Sequence, residues 1–292
     1  MGGNRNLPGI IAIIMAAALF SLMDAGMKLL VQHYPSMQVT ALRSLASLPL
    51  VYAYVAWRSS FAAMLKARWP LHLLRGALAI VMLVSFVYGL RHLALTEAYS
   101  IFFVAPLMIT ALSVPFLGER VGAARWAAIA AGFMGVLVVL RPTGSSALTL
   151  GGLAILASAA CYTISAIAVR ILGRTDSMES LMFWLISMLA LGSTLLAWPH
   201  WQPIRPADAW IIVGVGITGF CGQFGVTYAF RHGEASVVAP FEYTALVWTI
   251  SLDRLLWHTS PDRYTLLGAA IIIGSGLFLV RREKIHAEAE HP

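Results

Sequence analysis

Charged residues are scarce in this sequence. They make up 11% of its 292 residues, whereas 59% are hydrophobic. Soluble globular proteins carry about 25% charged residues, so this composition excludes a fold whose whole surface faces water. Cysteine is rarer still. The two cysteines, Cys161 and Cys221, lie within apolar segments, where they are expected to be small buried residues and not a disulfide or a metal-binding pair.

Motifs for catalysis and for cofactor binding are also missing. The sequence has no H-E-x-x-H, no G-x-S-x-G and no cluster of metal ligands, and its polar segments are too short for a catalytic domain. Residues 214–219 match G-x-G-x-x-G, but that fingerprint requires a preceding strand, and these residues lie in an apolar segment. We therefore predict neither a cofactor nor an enzyme. Catalytic residues can lie within membrane spans, so a membrane enzyme is the alternative of another class.

Long uncharged segments are abundant instead. A helix needs about 20 apolar residues to cross a bilayer of about 30 Å, whereas a membrane barrel alternates in polarity over segments of about ten residues. Continuous apolar runs such as residues 9–23 exclude the barrel. We predict an all-α integral membrane protein whose ten transmembrane helices lie at about 8–30, 37–57, 71–90, 98–117, 124–140, 150–172, 179–198, 209–230, 236–257 and 264–280.

The basic residues indicate orientation. The isoelectric point is about 9.7, and the formal net charge is +7. If the amino terminus is cytoplasmic, most Lys and Arg residues fall on the inner side, as the positive-inside rule requires. Both termini are therefore expected in the cytoplasm, in a multi-pass protein of the bacterial inner membrane whose surroundings are the lipid bilayer. Because the charge reports orientation, no nucleic-acid partner is predicted.

A short sequence occurs twice, as YGLRH at residues 88–92 and YAFRH at residues 228–232. Residues 88–141 align without gaps on residues 228–281, and near the start of the chain Lys28 falls on Arg170. Five helices per copy is an odd number, so the second copy would enter the membrane inverted. Inverted repeats of this kind are a transporter architecture, with the substrate near the midplane between them. The Arg–His pairs could equally anchor helix ends at the interface, and the repeat does not depend on their role.

This repeat divides the chain into three predicted parts. The first five-helix unit spans residues 1–142, the second and inverted unit spans residues 143–282, and a charged cytoplasmic tail follows at residues 283–292.

Residues 102–140 resemble the EamA repeat of the drug/metabolite transporter superfamily. The matching features are Pro106, the Gly118–Glu119 pair, Trp126 and the small-residue helix that follows it. Residues 239–248 resemble the corresponding helix of the second repeat, and the resemblance covers essentially the whole chain.

The resemblance implies alternating access through a central cavity formed by helices one to four and six to nine. The chain is similar to bacterial exporters of amino acids, aromatic ones included, so the implied function is a secondary transporter of small amphiphilic metabolites. An uptake carrier or a drug or quaternary-cation exporter of the same fold is the alternative, and a channel without a coupling ion would need the same cavity. One departure from the family is that His258 and Thr259 stand where the second repeat usually carries Gly–Glu.

Three ionisable residues lie within the predicted helices one and two, namely Asp24, Lys28 and Arg43. A charged residue at the centre of a membrane helix costs about 2.5–3.5 kcal/mol on insertion scales, so such residues are functional candidates by default. Asp24 and Lys28 are four residues apart, which suits an intrahelical pair, and Asp24 and Arg43 are expected at similar depth. We predict a gating or coupling role, or a charge pair that binds a carboxylate. The alternative is a structural salt bridge with Lys28 extending to the interface.

Glu242 is a further candidate for binding and for coupling. It follows Pro240 in the predicted helix nine and lies between Phe241 and Tyr243. Proline removes a backbone donor, which membrane proteins tolerate where a helix lines a cavity. Glu242 could bind an ammonium group of the substrate or carry a proton, in which case protons are the coupling ion. The alternative is a carboxylate bonded to neighbouring helix ends.

Aromatic residues recur at helical spacing on the predicted cavity helices four, eight and nine. Such walls suit a flat amphiphilic ligand or a cation–π contact, although most aromatic stripes serve packing or lipid contact. The predicted substrate-binding residues are Tyr88, Tyr99, Phe102, Phe103, Gln223, Phe224, Tyr228, Glu242, Tyr243 and Trp248.

Small residues predict where helices approach closely. Glycines at 216, 219, 222 and 225 make helix eight thin, and helix five carries small residues at the spacing of Ala128/Gly132 and Ala131/Gly135, which suits helix packing. The protein is predicted to be a monomer or a homodimer through helices five and ten.

Overall fold

The computed structural model describes residues 7–58, 68–117, 122–140, 150–172, 176–232 and 239–290. Within these ranges the chain forms helices joined by short turns, and no strand occurs. Ten helices follow the ten predicted spans, and the fourth consists of two parts. They are α1 (Leu7–Leu30), α2 (Ser36–Arg58), α3 (Trp69–His92), α4a (Leu95–Phe102), α4b (Ala105–Leu117), α5 (Ala123–Leu140), α6 (Leu150–Leu172), α7 (Met178–Ala197), α8 (Ala209–His232), α9 (Ala245–Leu256) and α10 (Arg263–Glu290).

Six helical segments of the described residues are long and apolar enough to cross a bilayer, and three more are apolar but shorter. Large apolar side chains cover the outside of the bundle, and Trp57, Trp198 and Trp210 at helix ends are 73–84% exposed, as expected of residues at a membrane interface. The protein is an all-helical, multi-pass membrane protein. The long segments are Leu7–Leu30, Ser36–Arg58, Pro70–His92, Leu150–Ala168, Glu179–His200 and Pro206–Val226.

The fourth and ninth spans differ from the single helices expected from the sequence. The fourth is interrupted at Phe103 and Val104, between α4a and α4b. Pro106 explains the interruption, because it has no N–H for the carbonyl of Phe102 and its ring clashes with the preceding turn. The described part of the ninth span begins as a 3₁₀ helix, Ala239–Thr244, which contains Pro240 and leads into α9.

The tenth helix is longer than the sequence predicted. It was expected to end near residue 280, but α10 remains helical to Glu290 and includes most of the predicted tail. The Gly118–Glu119 pair and Arg141 lie outside the described residues. The same holds for the side chains of Arg231, His232 and Pro240.

The helices pack in a regular set of pairs. The closest pairs are α1 with α8, α3 with α6, α2 with α7, and α5 with α10, while α4a packs against α9. Exchanging helices one to five with six to ten converts this set of pairs into itself. A two-fold relation between the halves of the chain predicts such a set. The core lies along α1, α3 and α4a, where Met27, Leu90 and Ile101 are fully buried.

The glycines of α8 allow it to pack closely against α1 and α2. A Cβ atom on Gly216 would lie 2.8 Å from the carbonyl oxygen of Ala46, and one on Gly219 would lie 2.8 Å from the sulfur of Met23. The hydroxyl of Ser47 also donates a hydrogen bond to the carbonyl of Gly216, at 3.1 Å. These contacts confirm the close approach that the glycine spacing predicted.

The small residues of α5 contact α10 of the same chain. A Cβ atom on Gly135 would lie 2.9 Å from the carbonyl oxygen of Gly268, and one on Gly268 would lie 2.6 Å from the carbonyl oxygen of Gly135. This part of the α5 surface is therefore used within one molecule. A homodimer through the fifth and tenth helices stays a prediction and would have to use their other faces.

His258 has a backbone conformation that favours glycine. Its φ angle is 54°, in the left-handed region, and it is the one non-glycine residue with positive φ among the described residues. It lies two residues after the end of α9, and the amide of Thr259 donates a hydrogen bond to the carbonyl of Asp253 at 3.2 Å. A side chain thus occupies a turn position where glycine is usual.

We expect His258→Gly to stabilise the protein by about 0.5–1 kcal/mol, because a left-handed conformation costs a side chain roughly 1–2 kcal/mol and glycine loses part of that gain in the unfolded chain. Thermal unfolding in detergent measures the change. Ser260→Gly is the control, since Ser260 has no positive φ, and it should not stabilise. An unchanged or lower melting temperature for His258→Gly would contradict the expectation.

We expect Gly216→Ala to destabilise the protein by about 1–3 kcal/mol, because its methyl group would collide with the backbone of Ala46. Gly214→Ala is the matched control on the same helix, since a Cβ there meets nothing within 4 Å, and it should be neutral or stabilising by up to about 1 kcal/mol. Melting temperatures in detergent test the pair. Equal effects of the two substitutions would show that α8 does not pack against α2 as described.

Candidate functional site

A buried hydrogen bond between α1 and α4a lies at the centre of the bundle. The Tyr99 hydroxyl donates to Oδ2 of Asp24 at 2.6 Å. Asp24 is 5% exposed and Tyr99 is 8% exposed. Both residues were predicted as functional, but in separate roles. The structure joins them into one polar pair within the span.

Tyr99 also belongs to a continuous chain of aromatic rings in the interior of the bundle. Neighbouring ring centroids lie 5.0–6.2 Å apart, within the range of favourable aromatic contacts. The rings come from α6, α4a, α3, the turn between α4a and α4b, and the 3₁₀ helix before α9. In order they are Tyr162, Phe102, Phe86, Tyr99, Phe103 and Tyr243.

Sequence reasoning identified four of these six rings. It missed Phe86 and Tyr162. A signal for Tyr162 existed, because at the stride that aligns Lys28 with Arg170 it falls on Phe20, another aromatic residue. Phe86 offered no comparable signal. Its position between Tyr99 and Phe102 depends on how α3 packs against α4a.

Glu242 lies near both ends of this chain, next to Tyr243 in sequence and close to Tyr162. It is partly buried in the 3₁₀ helix Ala239–Thr244. Its carboxylate is close enough to the hydroxyls of Tyr162 and Tyr243 to interact electrostatically with both. Among the described residues, it has no hydrogen bond and no ion pair. The carboxylate is therefore available to a ligand.

Arg43 of α2 adds a positive charge near the Asp24–Tyr99 pair. Its Nε donates to the sulfur of Met23 at 3.1 Å. The guanidinium is close enough to interact electrostatically with Asp24 and Tyr99. However, no carboxylate of the described residues lies within 4.0 Å of it. Asp24 and Arg43 are thus neighbours, as predicted, without forming a salt bridge.

Lys28 pairs with a residue from the other half of the chain. The spacing of four residues suggested Asp24 as its partner, but its Nζ lies 3.7 Å from Oδ1 of Asp253. Nζ also donates to the carbonyl oxygen of Leu93 at 2.7 Å, and it lies 4.6 Å from the ring centroid of Trp257. Lys28 is 8% exposed, so its side chain is enclosed by the protein.

Asp253 caps the amino terminus of α4a from a different helix. Its carboxylate accepts hydrogen bonds from the backbone amides of Leu95 at 3.0 Å and Thr96 at 2.8 Å, and from the Thr96 hydroxyl at 2.8 Å. A carboxylate is stabilised there because the first amides of a helix lack intrahelical partners and its dipole is positive at that end. Together with Lys28, this carboxylate joins α1, α4a and α9 in a cluster that we name the Asp253 cluster.

The loops on the same side of the bundle are also tied together. The Tyr34 hydroxyl donates to Asp208 at 2.7 Å, and the Gln38 amide makes two hydrogen bonds to the backbone of Gln202, at 2.7 and 2.9 Å. Burial raises the pKa of the Tyr34 hydroxyl above its usual value, so it remains a donor near neutral pH. These contacts and the Asp253 cluster join several helices and loops at the end of the bundle where α1 and α9 end.

The other predicted binding residues have different neighbours. Tyr88 packs against His92 of its own helix, with ring centroids 4.8 Å apart, and Phe224 packs against Tyr54 at 6.0 Å. Tyr228 and Trp248 are 38% and 39% exposed, and Gln223 is exposed on α8. The role of these five residues in binding stays a prediction.

The chain matches the EamA-like transporter family twice, over residues 7–141 and over residues 149–281. The protein belongs to this family. Among its relatives, a pseudopaline exporter of Pseudomonas aeruginosa is 25% identical over 94% of this chain and 97% of its own. A riboflavin transporter of Rhizobium johnstonii is 29% identical over 96% of this chain and 93% of its own.

A third relative and a solved structure are also similar to this chain. An S-adenosylmethionine uptake transporter of Rickettsia prowazekii is 27% identical over 98% of this chain and 96% of its own. A solved crystal structure with 20% sequence identity covers 97% of this chain with a TM-score of 0.65, which shows that its fold is shared. The family and its named relatives are transporters and not enzymes, so this EamA-family protein is a membrane transporter.

We expect Asp253→Asn to destabilise this transporter by about 3 kcal/mol, because it leaves Lys28 buried without its anionic partner. Adding Lys28→Gln should restore part of the loss, since the second change removes the unpaired charge. Arg254→Gln, at the exposed neighbouring position, should change stability by less than about 0.5 kcal/mol. Thermal unfolding in detergent compares the variants, and an Asp253→Asn protein as stable as Arg254→Gln would show that the cluster does not hold the helices together.

Proposed function

We propose that this protein is a secondary transporter of the bacterial inner membrane. In this proposal it exports amino acids with large apolar side chains, aromatic ones included, by alternating access. The observation that carries the proposal is the chain of six aromatic rings, which includes Tyr99 of the Asp24–Tyr99 pair and has the Glu242 carboxylate close to both of its end rings.

We infer that two inverted five-helix units, residues 1–142 and 143–282, form the transport pathway, with both termini and the tail at residues 283–292 in the cytoplasm. The set of helix pairs supports this, because it is unchanged when the two units are exchanged. A second support comes from the aromatic chain. Phe103 and Tyr243 occupy equivalent positions in the 88–141 and 228–281 alignment, and their rings contact each other at 5.0 Å. A residue can contact its own equivalent only close to the axis that relates the two units.

With the amino terminus inside, the Asp253 cluster and the joined loops lie at the outer end of the bundle. The described state would then be closed toward the outside. On two helices of the cluster, the residue one turn further in is buried. Asp24 lies one turn from Lys28 on α1, and Ser100 lies one turn from Thr96 on α4a. The cluster would therefore cover the central site and would have to open for release.

The chemistry of the site supports an amphiphilic cargo with a flat ring. Aromatic side chains favour flat rings through stacking and edge contacts, and the two carboxylates favour an ammonium group. Amino acids with aromatic side chains combine these features. Two of the three cargoes named for the relatives are consistent with this, because riboflavin has a flat ring system and S-adenosylmethionine has a purine and an amino acid group.

Two roles are open to Glu242. It could bind the ammonium group directly, or it could exchange a proton when the cargo binds, which would make protons the coupling ion. An uptake carrier is the second candidate, favoured by the relative named as an uptake transporter. The same site would serve both directions, because a carrier runs down whatever gradient drives it.

The proposal is tested by flux in proteoliposomes, with and without a pH gradient. The labelled compounds are tryptophan, threonine, tetraethylammonium, riboflavin and S-adenosylmethionine. We expect saturable tryptophan flux that exceeds threonine flux by about tenfold or more, because the aromatic chain favours the larger ring. Acceleration by the gradient would indicate proton coupling. If tryptophan flux equals that of empty liposomes while another compound moves, the cargo assignment is wrong and the transporter assignment stands.

Two site variants refine this test. Glu242→Gln should reduce tryptophan flux by about tenfold or more, because a charged partner of the ammonium group is lost, and Tyr99→Ala should reduce it by removing both a ring and the partner of Asp24. Glu179→Gln, in the first turn of α7, is the control and should leave flux unchanged. Melting temperatures establish that each variant is folded. Normal flux in both site variants would remove these residues from the site.

A further inference from the structure

Arg43 is the one described arginine that lies next to the Asp24–Tyr99 pair without a carboxylate partner. It lies on α2 and is partly buried. Only its Nε has a hydrogen bond, to the sulfur of Met23 at 3.1 Å. A thioether sulfur is a weak acceptor, so this contact compensates little of the cost of placing the charge inside a membrane protein.

The two terminal nitrogens of Arg43 are open to a ligand. Neither makes a hydrogen bond with the described residues. Neither is fully enclosed, in contrast to Nε of Arg75, which is buried without a partner. Open nitrogens next to the central polar pair must therefore face space that water or a ligand can occupy.

Asp24 is not positioned to neutralise this guanidinium directly. Its carboxylate accepts the Tyr99 hydroxyl at 2.6 Å and lies more than 4.0 Å from the arginine nitrogens, since no ion pair forms between them. Lys28, the cation of α1, is already paired with Asp253. Of Lys28 and Arg43, only Arg43 thus lacks an anionic partner among the described residues.

We propose that Arg43 binds the carboxylate of the transported molecule. The planar guanidinium presents paired N–H groups that match the two oxygens of a carboxylate, and intramembrane charges in transporters typically mark the substrate pathway. The ring of the cargo would then lie against Tyr99 and the neighbouring rings. This inference rests on the proposed transport function and narrows its cargo to flat amphiphiles that carry a carboxylate.

The inference distinguishes two cargoes of the relatives by whether they carry a carboxylate. S-adenosylmethionine carries a carboxylate, whereas riboflavin has none. A transporter that uses Arg43 in this way should accept compounds of the first class and bind those of the second class poorly. It should also prefer an amino acid over the amine that remains when its carboxylate is removed.

The experiment measures binding to purified protein, separately from flux. Tryptophan is compared with tryptamine, and S-adenosylmethionine with its decarboxylated form, in wild type, Arg43→Gln and Arg43→Lys. We expect the wild type to bind the carboxylate member of at least one pair more tightly by about tenfold to a hundredfold, the range for a charged hydrogen-bonded pair. Arg43→Gln should abolish that preference, and Arg43→Lys should retain part of it, because lysine keeps the charge without the fork.

The outcomes of this experiment either support or overturn the binding of a carboxylate by Arg43. Unchanged binding of the amine by Arg43→Gln, with loss of the preference for the acid, supports the inference and shows that the variant is folded. No preference in the wild type, binding of riboflavin alone, or a preference that survives in Arg43→Gln would overturn it. Arg58→Gln changes an exposed arginine at the other end of the same helix and should keep the wild-type preference. Carboxylate-dependent binding without any flux would support the inference while contradicting the proposed transport function.

Discussion

The capping of one helix by a carboxylate from another is the interaction on which the rest of this structure depends. The first backbone amides of a helix lack intrahelical partners, so where they are buried they must be satisfied by other groups of the protein. The fourth span begins with α4a, whose first amides bond to Asp253 of α9. That carboxylate is in turn paired with Lys28 of α1. Three helices that carry the central residues are thereby fixed relative to one another.

The central site follows from this arrangement. Because α4a is held at its amino terminus and is separated from α4b by a turn, its aromatic residues project from a short helix between α1, α3 and α9. Tyr99 then meets Asp24, and Phe103 meets Tyr243. Because Pro106 interrupts the fourth span, that span contributes rings from α4a and from the turn that follows it. Flat rings and separated charges in one enclosed region are the features by which a carrier selects small amphiphilic molecules.

More of the fold than of the site could be predicted from the sequence. Hydrophobic segments of membrane length indicated the spans, and glycine spacing indicated the close contact of α8 with Ala46. Asp24 and Tyr99 were both recognised, but not as partners, because a hydrogen bond between α1 and α4a depends on packing between distant segments. The four-residue spacing of Asp24 and Lys28 favoured a local pair, and packing against Asp253 overrode it. The φ angle of 54° at His258 was not predictable either, because a side chain is rarely found in a conformation that favours glycine.

Accessibility of Tyr162 to a water-soluble thiol reagent tests most directly whether the aromatic chain lines a transport pathway. Tyr162 packs against Phe102 at 5.4 Å and is 40% exposed. Tyr162→Cys would be made in protein whose Cys161 and Cys221 are replaced by serine, and labelled in inside-out and right-side-out vesicles. A site reached by alternating access, in a state closed toward the outside, predicts rapid labelling from the cytoplasmic side and slower labelling from the outer side. Absence of labelling from both sides would place Tyr162 against lipid or sealed protein and contradict a transport pathway along these rings.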